Sequence, residues 1–562
     1  MRCRPVTRTP HLLTAKRFDL LIVGGGIHGL AAARGAAMRG LSVALVERGD
    51  FVGGASFNHL KTLHGGLRAL QTLDLIRFRE GIRERAAMAR LAPHLVRPLP
   101  FLLATRRTLT RSRTALRTAL IIDRLLSADR NRSLPEWLHL PPGRVISRVE
   151  ALERAPGLPT SITGAALWFD YQLLKTERHA IGFAHAAAEH GATLANYVEA
   201  VEGIVRHGRL MGLRVRDAMT GDHFDVEADV VLNAAGPAVG VVANRLGLRV
   251  DWPVQRAMNL VTTRPAPSCA VAAALGGGTL FLVPWRDRMV VGTWHEERAF
   301  DPASMDVPLD AVERMCVDVN ASFPGLDLRV DEITLVHRGL VPGLRAEGER
   351  VIMRPRSAIL DHARDGLEGA LSIIGVKYTT GRSVAEAAVD LVLRKKGRPN
   401  APSASADTPL PGAAVGSVSD ASRALQEAFP SVTRASADHL ADTYGTAARD
   451  VLDVRGRTDL VAPIASGAPC LRAEVVYAIR HEMAMTLADV VLRRIGLGDA
   501  GHPGETAARN VARVMQQELG WSDTRVTDEL AALRHAYLPV TRDSSPTFTA
   551  PERRGTGSST PR

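Results

Sequence analysis

With 562 residues the chain is too long for one simple domain, and a 46% hydrophobic content supplies large cores. Only 4% of residues are aromatic, so those cores are mostly Ala, Leu and Val. The net charge of +12, carried mainly by arginine, suits an anionic partner but does not choose among nucleic acid, a membrane surface and an anionic substrate. Four scattered cysteines, Cys3, Cys269, Cys316 and Cys470, exclude a disulfide framework and a sequence-local metal site, and no metal is expected. No window of about 18 apolar residues exists to span a bilayer.

Residues 1–17 are basic without an apolar run and read as a disordered arm rather than a signal peptide. A strand is predicted from Phe18, followed by Gly24-Gly25-Gly26-Ile27-His28-Gly29, a helix, and the strand Val43–Val46 ending in Glu47. In that spacing Gly24 permits a tight turn, Gly26 lets a pyrophosphate approach the backbone, and Gly29 lets the helix pack close to the strand. The helix N-terminus then offers N–H groups to phosphate. Glu47, about 18 residues past Gly29, is placed to bind both ribose hydroxyls and would repel the 2′-phosphate of NADP. The fold class is therefore α/β, with a doubly wound dinucleotide-binding domain.

Residues Asp50–Gln71 form a polar, glycine-rich stretch, and Leu73–Ala92 follows a helical pattern. Within Ala104–Arg132, eight arginines surround Leu116, Leu120, Ile121 and Leu125 at helical spacing. Such a basic amphipathic helix can lie on an anionic membrane, or it can be the solvated side of an ordinary core helix. Buried strands are predicted at Ala228–Asn233, Thr279–Pro284, Arg288–Thr293 and Leu371–Gly375, with a helix over Thr379–Lys396. The domain started at residue 18 thus closes only near residue 396, a layout more typical of FAD enzymes than of NAD domains.

Residues 397–416, rich in Pro, Ala, Ser and Gly, read as a linker. A helical domain over 417–540 follows, with helices at Ala421–Phe429, Ala435–Tyr444, one long run Leu471–Arg494, Glu505–Leu519 and Asp528–Tyr537. Residues 541–562 read as a disordered tail.

Four blocks go beyond generic rules: Ile22-Val23-Gly24-Gly25-Gly26-Ile27-His28-Gly29, Lys61-Thr62-Leu63-His64-Gly65-Gly66-Leu67-Arg68, Asn233-Ala234-Ala235-Gly236-Pro237 and Gly375-Val376-Lys377-Tyr378-Thr379-Thr380-Gly381-Arg382. Together they resemble the FAD-dependent, quinone-linked glycerol-3-phosphate dehydrogenases, over roughly residues 18–540. The resemblance implies an antiparallel substrate-binding sheet interleaved with the FAD domain, plus a helical C-terminal domain. It implies oxidation of sn-glycerol 3-phosphate to dihydroxyacetone phosphate, with hydride passing to flavin N5 and electrons to quinone at the inner face of the cell membrane. It further implies FAD contacts by Gly24, Gly25, Gly26, Gly29, Glu47, Ser56, Lys61, His64, Val198, Ala235, Gly236, Gly375, Lys377, Tyr378, Thr379 and Thr380. The substrate would meet Arg68, Asn259, Arg338 and Lys377, since arginine forks and an ammonium suit a phosphate dianion.

The sequence departs from that family at several pocket positions. Ala69 replaces a tyrosine, Asn259 a histidine, Trp294-His295 a Thr-Asp pair, Lys175-Thr176-Glu177-Arg178 an Asp-Asp-Ala-Arg stretch, and His59-Leu60 a Ser-Ser pair. Loss of the histidine leaves His64 and His295 as the candidate proton acceptors for the substrate hydroxyl. Oxidation of another small anion, such as a 2-hydroxy acid or an amino acid, and a non-catalytic flavoprotein both remain as alternatives. A nucleic-acid partner is disfavoured, because the basic residues lack interleaved aromatics and any recognisable module. A homodimer stays open.

Overall fold

The computed structural model describes residues 5–67, 73–275, 278–303, 306–398, 402–413, 416–454 and 459–537. One sheet is built on the strand Phe18–Val23, whose side chains are almost all buried because helices cover one face and the strand pair Val198–Arg206 and Arg209–Asp217, with the short helix Val239–Arg245, covers the other. It pairs in parallel with Val43–Val46 on one side and His223–Asn233 on the other. Thr193–Ala195 and Ala370–Ile374 extend the parallel set, and Ala358–Asp361 closes one edge antiparallel. The helix Ile27–Ala37 carries buried Ala31, Ala32, Ala33, Ala36 and Ala37 and lies against the helices Thr176–Glu189 and Gly381–Lys395. Small side chains permit this close approach.

A second, mainly antiparallel sheet runs, among the described residues, in the spatial order Val351–Met353, Ile333–Arg345, Val254–Pro265, Arg288–Glu296, Gly278–Trp285, Ala270–Leu275, Val96–Thr105, Gly164–Leu173, Thr62–Leu63. Its strands come from both sides of the dinucleotide units, which is the interleaving the sequence implied. One face packs on Val312, Met315 and Val319 of the helix Leu309–Ser322. The other faces the cleft described below.

The C-terminal helices begin at Val418–Ala428 and Arg434–Tyr444. The expected single run Leu471–Arg494 is two helices, Arg472–Glu482 and Leu487–Arg493. Met483 stands between them in the left-handed region (φ 55°), and Thr486 caps the second helix by accepting from the Asp489 N–H at 3.2 Å. Apolar periodicity carried across this break because both helices pack on the helix Glu505–Leu519.

Two further expectations are corrected. The described part of the N-terminal arm is anchored: Val6 is buried, its N–H donates to the His481 carbonyl at 2.9 Å, and Arg8 pairs with Asp217 at 2.6 Å. The stretch read as a linker is packed where described. Leu410 is 3% exposed, its N–H donates to Leu91, and buried Arg34 donates to the carbonyls of Ser405 and Thr408. Composition identified the loops correctly but not their burial. Residues 541–562 lie outside the described residues.

Candidate flavin and substrate cleft

Phosphate-binding geometry starts at the first turn. Gly24 has φ 109°, and a Cβ there would sit 2.6 Å from the Ala234 carbonyl oxygen. A Cβ on Gly29 would fall inside the Gly24 carbonyl, so this glycine is fixed by helix–strand approach. Gly26 differs: only Ser56 Oγ stands near, at 3.1 Å, and the glycine faces an open cleft. Ser56 Oγ accepts the Ile27 N–H at 3.0 Å, so it holds the helix N-terminus beside that opening.

Glu47 accepts the Gly25 N–H at 2.7 Å and the Gly49 N–H at 2.9 Å, and burial pushes its carboxyl up. The return motif meets the first motif directly, since a Cβ on Gly375 would collide with the His28 imidazole. Burial holds His28 down to about 4, so that ring is neutral at pH 7. The cleft joining these parts has a volume of about 1380 Å³, beyond the usual range for one drug-sized ligand. Gly24, Gly26, Glu47, Val198, Ala235 and Gly236 line it, together with Gly375, Lys377, Tyr378 and Thr379 of the return motif. A long, phosphate-bearing dinucleotide fits this distribution of glycines, helix N-terminus and buried acid.

The profile of FAD-dependent oxidoreductases matches residues 19–391, which is most of the chain. The chain belongs to that family. Its cofactor is FAD, and the cradle just described has the donor set that FAD requires. The profile of the C-terminal domain of alpha-glycerophosphate oxidase matches residues 403–526. Relatives include a glycerol-3-phosphate dehydrogenase of Mycobacterium leprae, 32% identical over 92% of this chain and 87% of its own. Another, from Synechocystis, is 29% identical over 93% and 96%. Among solved structures, the glycerol-3-phosphate dehydrogenase from Bacillus halodurans complexed with FAD superposes with a TM-score of 0.73. It covers 95% of this chain and 98% of its own at 22% identity, which shows the fold.

Within this FAD-dependent oxidoreductase, the residues expected to meet substrate divide. Asn259, Lys377, His64 and His295 all line the cleft. Asn259 is buried, its Oδ1 accepts from Thr293 Oγ1 at 2.8 Å, and its Nδ2 has no protein partner. Trp294 is held by its Nε1 donating to Asp318 at 2.6 Å. Arg68 and Ala69 lie outside the described residues. Arg338 does not line the cleft: it is half-buried, paired across the sheet with buried Met258, and Asp306 is the charge near it.

Lys61 corrects an expected cofactor contact. Its side chain is fully buried away from the cleft lining, with Nζ donating to the Phe57 carbonyl at 2.7 Å and lying 4.0 Å from Glu177. Burial lowers the lysine and raises the glutamate. Glu177 belongs to the departing segment Lys175–Arg178, so the lysine of the matching block has a partner supplied by that departure. Gly25, Gly29 and Thr380 shape the cradle without lining it.

Sequence reasoning missed Asp170, Thr62, Asp50 and Arg493. The last two line the cleft and form an ion pair at 2.7 Å, so the C-terminal domain reaches the cofactor site. Asp170 meets His64 across 106 residues of sequence, and no local signal marks that pairing.

Proposed function

We propose that this chain oxidises the C2 hydroxyl of sn-glycerol 3-phosphate to the ketone of dihydroxyacetone phosphate. Bound FAD supplies the hydride acceptor. The observation that carries the reading is the joining, in one cleft, of the dinucleotide cradle with Lys377, Asn259 and His64. Relatives named for this activity, similar over nine tenths of the chain, support the substrate. Lys377 would meet the phosphate, and the Asn259 amide would donate to a substrate oxygen. The residues must also take the hydroxyl proton, for which Asn259 has no basic group.

Anaerobic titration of the yellow holoprotein tests this. Glycerol 3-phosphate is expected to bleach the flavin, while lactate, 2-hydroxyglutarate and amino acids are not. Bleaching only by a carboxylate substrate favours the alternative reading of another small anion, with which the position of Arg338 outside the cleft agrees. Lys377→Ala is expected to cost about 1.5–3 kcal/mol of substrate affinity.

Electron delivery to a lipid-soluble quinone requires docking on a bilayer, and no described helix is long and apolar enough to cross one. The segment Ala104–Arg132 supports docking. In the helix Arg113–Leu126 only Leu120 is buried, while Ile121, Ile122 and Leu125 are exposed. Leu109 is 92% exposed beside exposed Arg106 and Arg107, and Leu73 and Ile76 are exposed at the start of the neighbouring helix. Each basic residue near an anionic surface contributes about 1 kcal/mol, screened by salt. Changing Arg106, Arg107, Arg111 and Arg113 to Gln is expected to release the protein from anionic vesicles without altering flavin reduction. Equal vesicle binding by this variant would assign the stretch to ordinary solvent contact.

A further inference from the structure

The cleft needs a proton acceptor, and the strand pairing beside it assembles one. The short strand Thr62–Leu63 runs antiparallel to Gly164–Leu173, with Thr62 opposite Gln172 and Leu63 opposite Tyr171. Continuing that register by one residue brings His64 to Asp170. His64 Nδ1 lies 3.4 Å from Asp170 Oδ2, and His64 Nε2 lies 2.8 Å from Thr62 Oγ1. Carboxylate, imidazole and hydroxyl thus stand in one hydrogen-bonded row. Both Thr62 and His64 line the cleft, and the His64 side chain is 40% exposed, which gives a proton an exit.

The acid end of the row is held firmly. Asp170 is buried, its Oδ1 accepts the Gly65 N–H at 2.8 Å, and it is ion-paired with Arg85 on the helix Leu75–Leu91. Burial alone would raise its carboxyl, but Arg85 and the His64 contact hold it below the usual range, so it stays ionised. The other titratable groups at this corner are Asp123, on the helix Arg113–Leu126 and paired with Arg130 at 3.2 Å, and His59, on the same loop as His64 and kept neutral by burial. The imidazole is steadied by Phe101 and Phe281, and the His64 N–H donates to Thr379 Oγ1 at 3.3 Å, which ties it to the return motif.

We propose that Asp170, His64 and Thr62 form a proton relay for the substrate hydroxyl, with Asp170 the positioning residue. The inference rests on the oxidation proposed above. As the C2–H bond breaks, its electron pair leaves as hydride to the bound flavin and the C2–O bond becomes a carbonyl. The hydroxyl proton passes to Thr62 Oγ1 while the threonine's own proton moves to His64 Nε2. The resulting imidazolium is paired with Asp170 through Nδ1–H and releases its proton to solvent. A negative charge facing Nδ1 fixes the tautomer that leaves Nε2 as the acceptor.

Two readouts test the relay in the FAD-loaded protein. Nitrogen-15 NMR of labelled histidine, assigned with His64→Asn, is expected to show the neutral ring protonated at Nδ1. The Nε2-protonated form in the wild type overturns the proposal, whatever the substrate proves to be. Anaerobic flavin reduction is then followed against pH with whichever substrate of the panel bleaches the wild type. His64→Asn is expected to slow it by about 10²–10⁴-fold. Asp170→Asn should turn the ring toward the Nε2-protonated form in the same spectra and slow reduction at saturating substrate. Should Asp170→Asn not fold, Thr62→Val and Thr62→Ser replace it: loss of rate in the first and recovery in the second is expected, and equal rates in both refute the relay.

Discussion

The cradle at the glycine turn and the seam with the C-terminal domain beside it are made of different materials. At the glycine turn the work is done by the main chain: Gly24 at positive φ, Gly26 facing open space, and the N–H groups of Gly25 and Gly49 on Glu47. Where the C-terminal domain meets the cleft, the contact is between buried charges. Asp50 takes Arg493 at 2.7 Å and Arg494 through both of its oxygens, and Glu482 takes Arg178 at 2.6 Å. Burial would raise Glu482, but Arg178 and His185 hold it down to about 2. Backbone geometry follows from local sequence rules and tolerates change around it. A buried ion cluster exists only when distant segments meet, and removal of one member strands the others.

A crossed pair of variants makes this difference measurable. Gly26→Val fills the space a pyrophosphate needs, so colourless apoprotein is expected with a near-normal far-ultraviolet spectrum. Asp50→Ala removes the carboxylate that Arg493 and Arg494 share, leaving Arg493 with Asp489 at 2.6 Å and Arg494 with Glu482 at 3.7 Å, and is expected to cost about 3 kcal/mol in denaturant unfolding. Full flavin occupancy in Gly26→Val would falsify the assignment of the turn. Unchanged stability in Asp50→Ala would show that Asp50 is not needed to hold the seam.

The legibility of the chain follows the same division. Gly24, Gly26, Gly29 and Glu47 were readable because each obeys a rule about its own backbone or its spacing from the turn. The interleaved sheet was implied by resemblance rather than by periodicity, which located strands but not their partners. Lys61 illustrates the limit: a lysine in a matching block reads as a ligand, whereas Glu177, brought in by another segment, buries it as an ion pair. Asp170 and Asp50 carried no signal at all. Their partners lie 106 and 443 residues away in sequence. The break at Met483 was hidden because hydrophobic spacing continues through it.

Buried histidines give the next effect, one of them, His28, in the cradle and the others away from the cleft lining. Burial lowers His28 and His179 to about 4 and His94 to about 3, from an ordinary value near 6.5. For a base whose folded value is depressed, the unfolded chain binds more protons between the two values. Stability is therefore fully present above about 6.5 and is lost as pH falls toward 4, by about 1.4 kcal/mol per pH unit for each ring. Melting temperature is expected to drop steeply from pH 7 to pH 5. In His28→Asn the dependence should be shallower. A flat profile in the wild type contradicts the neutral burial of these rings.

The smallest effect concerns a side chain laid on the backbone cradle. Ser56 was expected to touch the cofactor, and it does line the cleft, but its hydroxyl oxygen accepts the Ile27 N–H at 3.0 Å. That is the function of a helix cap, performed by a residue outside the helix. Removing such an acceptor costs about 1 kcal/mol. Ser56→Ala is thus expected to lower stability by about that amount while the protein still purifies yellow. Its flavin should dissociate only a few times faster, because the Ile27 N–H is freed rather than a ligand contact deleted. Loss of flavin comparable to that in Gly26→Val would instead make the hydroxyl a direct cofactor contact and extend side-chain recognition into the cradle assigned here to the main chain.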